Sequence, residues 1–150
     1  VLAMGGNYLL NVGPTSEGQI PAESKTILDA IGDWYSRIRE SIDGTRPCSY
    51  MLDSKPRGGY ADQVLLTRKD NTIYVHAHQD LSTSSILLDC FAVLPEKAAL
   101  LNDGRKLEAI VDTVPWRWTI GPCLRIKGLP VNEKSGEVLV VKLEFGDVSD

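Results

Sequence analysis

Two pairs of ring side chains have a spacing that could support binding chemistry. His76 and His78 stand two residues apart in a strand-like segment, so they share one face, as two metal ligands could. They are the only histidines, and no cysteine or carboxylate is placed to complete a ligand set with them. The pattern therefore favours a polar strand face, and we predict no metal site.

Trp116 and Trp118 also share one face of a predicted strand. If exposed, the two indole rings could stack against a sugar ring. Aromatic side chains more often fill a core or a contact between domains. The pair is thus a candidate carbohydrate-binding site only if its rings face solvent.

Paired carboxylates would support hydrolysis of a glycosidic bond, and the chain has 20 Asp and Glu residues. A retaining reaction needs two carboxyl groups about 5–5.5 Å apart at one pocket. Nothing in the sequence places two of them together, and most lie on the polar face of a predicted helix or in turns, where Asp is common for backbone reasons. We therefore assign no catalytic residue among Glu17, Asp29, Asp33, Asp62, Asp103, Glu108 and Asp112.

Asn11 is a further candidate sugar-binding residue, because it lies at the end of a predicted strand. The segment around Tyr8–Leu10 reads as a short buried strand, followed by a Gly/Pro turn and a helix, which makes one β/α unit. A parallel strand must be paired and covered by neighbours, so the unit implies a larger parallel α/β domain. At the mouth of a (β/α)8 barrel, one such domain, Asn11 could contact a sugar, or it could cap the strand end. Without a barrel, residues 1–12 are expected to be disordered or to pair with another chain or with the β domain.

The rest of the chain divides into a helix, a linker and a β domain. Residues 21–43 carry apolar side chains at three-and-four spacing and predict one amphipathic helix, with Gly44 as its C-cap. We place the β/α unit at 1–43, a Gly/Pro-rich linker at 44–59 and a β domain at 60–150. Trp34 lies in the apolar stripe that would face the barrel.

Alternating apolar residues and turn signals predict an antiparallel β-sandwich. The fold class is therefore α+β, with one barrel unit preceding a sandwich. The predicted strands are Gln63–Arg68, Thr72–His78, Ser84–Leu88, Cys90–Leu94, Ala98–Leu101, Lys106–Ile110, Cys123–Lys127 and Glu137–Phe145.

Composition excludes several classes of function. A net charge of −4 and a pI near 5.2 argue against a nucleic-acid surface. No apolar run reaches the roughly 20 residues of a membrane helix. Three widely spaced cysteines (Cys48, Cys90 and Cys123) allow at most one disulfide, and buried free thiols are the favoured interpretation.

The β/α unit resembles part of a known enzyme family. The block GGNYLLNVGPTSEGQIP at residues 5–21 resembles the last strand and turn of the catalytic barrel of α-L-fucosidases, glycoside hydrolase family 29. The helix that follows ends in IDGTRP at 42–47 and resembles that family's exit into a C-terminal β domain. Weaker similarities continue at residues 100–107 (LLNDGRKL) and 128–130 (GLP). A long unbroken match is far less expected by chance than a short motif.

The resemblance implies a parent enzyme that removes terminal α-L-fucose with retention. In that family an Asp nucleophile forms a glycosyl-enzyme intermediate and a Glu acts as acid and base. No residue here matches the motifs of those carboxylates, so both are expected upstream and this stretch alone is expected to be inactive. The implied partners are the rest of the barrel and a fucosylated glycan, with no cofactor; the family's usual compartments are secreted, periplasmic or lysosomal.

Two non-catalytic functions are the alternatives. A carbohydrate-binding sandwich would use Trp116 and Trp118, although such a module has no use for an isolated β/α unit. A scaffolding domain would brace a barrel, and the apolar patch left without a barrel would favour homo-oligomers. Exposure of the two tryptophan rings separates the two sandwich roles.

Overall fold

One helix and two antiparallel sheets form the part of the chain that a computed structural model describes, residues 1–48, 64–77, 81–88, 93–113 and 121–146. The helix α1 spans Ala22–Ile38. Short 3-10 turns lie at Leu2–Met4 and Arg39–Ser41. The strands are β1 Arg46–Pro47, β2 Val64–Lys69, β3 Thr72–Ala77, β4 Ser85–Leu88, β5 Lys97–Leu100, β6 Glu108–Asp112, β7 Cys123–Lys127 and β8 Leu139–Glu144.

The helix begins and ends close to where its sequence pattern predicts. Pro21 precedes its first turn with a φ of −55°, and Glu23 places a negative charge near the positive end of the helix dipole. The last turn tightens into the 3-10 turn, and Gly44 then reverses the chain at a φ of +67°. Gly44 is therefore not the C-cap of α1, which is Arg39, although it takes a left-handed conformation just beyond the 3-10 turn.

The strands form a sandwich, as the alternating pattern predicts. One sheet has the order β1-β2-β3-β8-β5 and the other the order β4-β7-β6, and every pairing is antiparallel. The two sheets pack through one apolar core that includes Val75, Leu124, Ile126 and Val141. The fold class is α+β.

The central strands of the larger sheet are covered on both faces. Val75 and Val141 point into the sandwich core, while Tyr74 and Val140 point to the opposite face and pack with Ile38 of the helix region. All five side chains are nearly or completely buried. Successive strand residues face opposite sides, so this double burial makes three layers: helix, five-stranded sheet and three-stranded sheet.

The strand predicted around Tyr8–Leu10 is not formed. These residues carry no regular structure, and Tyr8 and Leu9 are 65% and 89% exposed. A parallel strand gains its hydrogen bonds from neighbours, and the described residues provide no strand beside it. The first turn, Leu2–Met4, contacts β1 and β2, whereas residues 7–11 are exposed and form no strand pairing.

Two shorter segments also differ from the sequence prediction. Arg46–Pro47, placed in the linker, pair with Arg68 and Thr67 at the edge of the larger sheet. Of the predicted strand at 90–94, Val93 and Leu94 are exposed and irregular, and residues 90–92 lie outside the described ranges. A segment with a strand-like sequence forms a strand only if a neighbouring strand is present to pair with it.

The described ranges contain two of the three cysteines and the helix. Cys48 is free and buried, Cys123 is buried as well, and Cys90 lies outside the described ranges. Within those ranges, no helix has the length and apolar character needed to span a bilayer.

Candidate functional site

Of the candidate binding residues from the sequence, the structure describes only Asn11 and His76. Asn11 is exposed in the irregular segment that follows the first turn. Trp116 and Trp118 lie outside the described residues, as does His78. Asn11 is therefore not a buried cap here, and the stacking role of the tryptophans stays a prediction.

His76 forms part of a structural hydrogen-bond chain. The Thr67 hydroxyl lies 2.7 Å from the carbonyl oxygen of Ser41 and 2.9 Å from His76 Nε2. A hydroxyl has one hydrogen, which Thr67 donates to Ser41, so His76 Nε2 donates to Thr67. A ring nitrogen that donates a hydrogen bond cannot bind a metal. The described residues contain no group of three or more potential metal ligands.

The most organised polar region joins α1 to the start of β8. Trp34 Nε1 donates to the carbonyl oxygen of Val138 over 3.1 Å, and Arg37 Nη2 lies 2.9 Å from Glu137 Oε2. Asn102, only 2% exposed, donates through Nδ2 to both of those acceptors. These contacts place the helix on the outer face of the larger sheet at a fixed position.

Charged side chains surround this region, and they lower the pKa of Asp103 and raise that of Arg105. Partial burial of Asp103 would raise the pKa of its carboxyl, but hydrogen bonds from Arg105 and the charge of Lys134 outweigh it and lower that pKa. Arg105 also contacts Glu133 at 2.9 Å. Lys134 in turn lies 3.3 Å from Glu137. The ion pairs of this network hold the loop before β8 against the turn after β5.

A second ionic contact lies at the far end of the helix. Lys142 Nζ on β8 lies 3.0 Å from Glu40 and 3.1 Å from Glu144. Burial alone would lower the pKa of Lys142, but the hydrogen bonds to Glu40 and Glu144 raise it. Burial also raises the pKa of Tyr74, with a further contribution from the charge of Glu40. The 3-10 turn after α1 is thus bonded to β8, whereas Trp34 and Arg37 are bonded to the two residues just before that strand.

The remaining face of the helix is apolar and lacks cover from the described residues. Ile27 is 61% exposed and Ile31 42% exposed. Both line a groove of about 650 Å³ that runs between α1 and the loop at residues 133–138. The predicted apolar stripe therefore splits, with Trp34 and Ile38 on the sheet and the preceding two turns facing outwards. An apolar surface of this kind is typical of an interface.

Sequence reasoning missed the role of Asn102. The Asn102-Asp103-Gly104 run reads as a turn, and the chain does turn there, with Gly104 at a φ of +78° and Arg105 N bonded to Asp103 Oδ1. The partners of the Asn102 amide lie 35 and 36 positions further along the chain. The local sequence contains no signal for such distant contacts.

The sequence of the helical region identifies its relatives. A sequence model of the family "Alpha-L-fucosidase" matches residues 1–40. Tissue α-L-fucosidase of Homo sapiens is 44% identical over 73 residues, which are 49% of this chain and 15% of that protein. The α-L-fucosidase of Dictyostelium discoideum is 48% identical over 46 residues, 31% of this chain and 10% of that protein. Over its helical region, this chain is similar to the α-L-fucosidases.

Solved fucosidase structures extend the similarity to almost the whole chain. Isoenzyme 1 from Paenibacillus thiaminolyticus matches with a TM-score of 0.70 and 27% identity over 97% of this chain. The Thermotoga maritima α-fucosidase matches with a TM-score of 0.66 and 25% identity over 95% of it. This chain spans only 32% and 31% of those proteins. The helix and both sheets therefore share a fold with about a third of a fucosidase.

Proposed function

We propose that this chain is the C-terminal portion of an α-L-fucosidase and that it braces the catalytic barrel of that enzyme. The observation that carries the proposal is the structural similarity to solved fucosidases over 95–97% of this chain at 25–27% identity. In the complete polypeptide, residues 1–43 would supply the last β/α unit of the barrel. The β-sandwich would follow as a separate C-terminal domain.

The exposed apolar surface supports this assignment. Leu9, Ile27 and Ile31 are 89%, 61% and 42% exposed, which is costly for aliphatic side chains in water. A preceding barrel strand would pair with residues 7–12, and a preceding barrel helix would cover the outer face of α1. The strand that the sequence predicts, absent in isolation, would then form because its neighbours are present.

The proposed chemistry takes place on residues outside this chain. An Asp nucleophile would attack the anomeric carbon of a terminal α-L-fucoside, while a Glu protonates the leaving oxygen and later activates water, so that configuration is retained. The groove beside α1 contains Glu133 and Glu137, but Glu137 is paired with Arg37 of the helix and Glu133 with Arg105 of the turn after β5. This stretch alone is therefore proposed to be inactive. Asn11 would border the sugar site as the nearest candidate contact.

Intact mass and activity of the natural polypeptide test this proposal. Antibodies against residues 60–150 would isolate it for mass spectrometry and for an assay with an aryl α-L-fucoside. We expect a mass well above 16.5 kDa, with room for the roughly 250 residues of a barrel, and measurable hydrolysis. A natural mass of 16.5 kDa, or a full-length chain without hydrolysis, would contradict it.

The compartment forms a separate proposal that rests on the family. Fucosidases of this kind are secreted, periplasmic or lysosomal, and we propose the same for the parent polypeptide. Cell fractionation with the same antibodies would test it. Recovery of the full-length protein from the cytosolic fraction alone would contradict the proposal.

A further inference from the structure

Asn102 shares each of its two acceptors with a donor from the helix. Glu137 Oε2 accepts from Arg37 Nη2 at 2.9 Å and from Asn102 Nδ2 at 3.1 Å. The carbonyl oxygen of Val138 accepts from Trp34 Nε1 at 3.1 Å and from Asn102 Nδ2 at 3.0 Å. The two groups that hold α1 are therefore themselves held by one buried amide.

The chemistry at this position requires an amide. Asn102 Oδ1 accepts a 2.8 Å hydrogen bond from the backbone nitrogen of Val140, while Nδ2 uses its two hydrogens on Glu137 and Val138. An ionised Asp would accept from Val140 but would lose both donors and place a second negative charge beside Glu137. An Ala would leave a gap and lose all three hydrogen bonds. Only Asn satisfies the three partners at this size.

The position of α1 determines the position of the turn at residues 15–19, which precedes it. Residues 15–19 form a closed turn, with Gly18 N bonded to Thr15 O at 2.9 Å and Thr15 N bonded to Gln19 O at 2.8 Å. Ile20 and Pro21 connect this turn to α1, and the ring of Pro21 restricts the backbone at the junction. A displacement of the first helical turn would therefore carry the turn at 15–19 with it.

We propose that Asn102 is a positioning residue for the fucosidase reaction. It fixes Glu137 and Val138, these fix α1 through Arg37 and Trp34, and α1 fixes the segment at residues 11–18. The inference rests on the proposed function, in which that segment borders the sugar site. A displacement of about 1 Å near reacting groups can reduce turnover by roughly 100-fold. Asn102 would thus affect turnover from the sandwich domain without touching the substrate.

Asn102→Asp in the natural full-length polypeptide tests this role, with Asn132→Asp as the matched control. Asn132 is exposed on the loop before β8, so the same chemical change there leaves the shared acceptors intact. Hydrogen exchange reports the stability of α1 and of the sandwich separately. Steady-state kinetics on an aryl α-L-fucoside, below the melting temperature of every variant, reports kcat and KM.

We expect Asn102→Asp to accelerate exchange in residues 22–38 by about 10- to 100-fold, the effect of leaving buried partners unpaired. Exchange in β3 and β8 should change far less, and kcat should fall by roughly tenfold with KM little changed. Asn132→Asp should leave both readouts as in the unsubstituted protein. Uniform acceleration across the sandwich, unchanged exchange in α1, or unchanged kcat would overturn the proposal.

If Asn102→Asp does not fold, a second variant tests the same proposal. The double variant Trp34→Phe/Arg37→Met removes both helix donors and keeps every bond of Asn102, and it should give the same selective effect on α1 and kcat. An intact helix or normal turnover in that variant would also overturn the proposal. Lack of hydrolysis by the unsubstituted polypeptide would contradict the proposed function and, with it, the effect of Asn102 on turnover. Exchange in α1 would still show separately whether Asn102 holds the helix.

Discussion

Arg37 Nη2 lies 2.9 Å from Glu137 Oε2, although the two residues are 100 positions apart in the chain. The contact joins the last turn of α1 to the residues that lead into β8. Glu137 is mostly buried on its side-chain atoms, at 18% exposure, whereas Arg37 is 44% exposed. The pair therefore connects the helical unit to the sandwich at a point that is partly shielded from water, where an ionic contact is screened less than on an open surface.

A double-mutant cycle on this pair should give a small favourable coupling energy. We expect Arg37→Met and Glu137→Gln to couple by about 0.5–1 kcal/mol, because one partner is half-exposed and surface ion pairs rarely exceed that range. Urea unfolding at low and high salt would measure it. The exposed pair Lys127 and Glu108, 3.5 Å apart, is the control and should show weaker coupling. Equal coupling energies at both pairs would contradict the claim that partial burial of Glu137 strengthens its ion pair with Arg37.

Trp34→Phe should destabilise the helix-sheet contact modestly. The substitution keeps an aromatic ring on the sheet but removes the indole donor to Val138, whose carbonyl still accepts from Asn102. We expect a loss of about 0.5–1.5 kcal/mol in the free energy of unfolding, the usual net value of one hydrogen bond. Chemical denaturation checks it, with Tyr8→Phe on the 65% exposed ring as a control expected near zero. A neutral Trp34→Phe would show that the hydrogen bond contributes nothing.

Acid should weaken the fold through Glu144. The hydrogen bond from Lys142 lowers the pKa of the Glu144 carboxyl, with a smaller contribution from Lys97. The folded pKa lies below the unfolded value of about 4.3, so the stabilisation is complete above that pH and is lost as pH falls through the lowered folded value. Urea midpoints between pH 7 and pH 3 should show this loss.

Lys142→Met supplies the comparison for that acid profile. The variant removes the main cause of the lowered Glu144 pKa while leaving Lys97 3.4 Å away. Its stability should therefore depend less on pH between about 5 and 3 than that of the unsubstituted protein. Two superimposable acid profiles would mean that the Lys142 contact has no effect on the titration of Glu144.

Ile27→Ala and Leu9→Ala should behave differently in the isolated chain and in the complete polypeptide. Both side chains are exposed here, so truncation should change the stability of residues 1–150 by less than about 0.5 kcal/mol. If a barrel buries them, the same changes should cost the longer chain about 2–5 kcal/mol each. Thermal and urea unfolding of both forms would measure the difference. Equally small effects in both would show that nothing covers this face.

The helix and sandwich could be predicted because their patterns are local. The spacing of Trp34, Ile38 and Ile42 indicates a helix, and the strands that flank Asp70-Asn71 alternate as the observed β2 and β3 do. The segment at Tyr8–Leu10 has the composition of a strand, yet no strand forms, because pairing depends on neighbours that local composition cannot supply. Domain boundaries and the roles of Asn11, Trp116 and Trp118 stay predictions.

The helix-sheet contact could not be predicted for a related reason. An Asn followed by Asp-Gly is explained by the turn alone, so nothing in that run indicates the amide's contacts with residues 137, 138 and 140. Trp34 belongs to a stripe that the sequence assigns to a barrel, whereas its indole donates to Val138 of the sandwich. Periodicity gives the faces of a helix but not the identity of what each face contacts.

Covalent trapping of the natural polypeptide tests the central claim most directly. Incubation with 2-deoxy-2-fluoro-α-L-fucosyl fluoride, followed by intact-mass and peptide analysis, should show a chain well above 16.5 kDa carrying one fluorofucosyl group. The modified Asp should map to a peptide outside these 150 residues, because the proposed nucleophile lies upstream. A label on any carboxylate of residues 1–150, or an unlabelled natural chain of 16.5 kDa, would contradict the account.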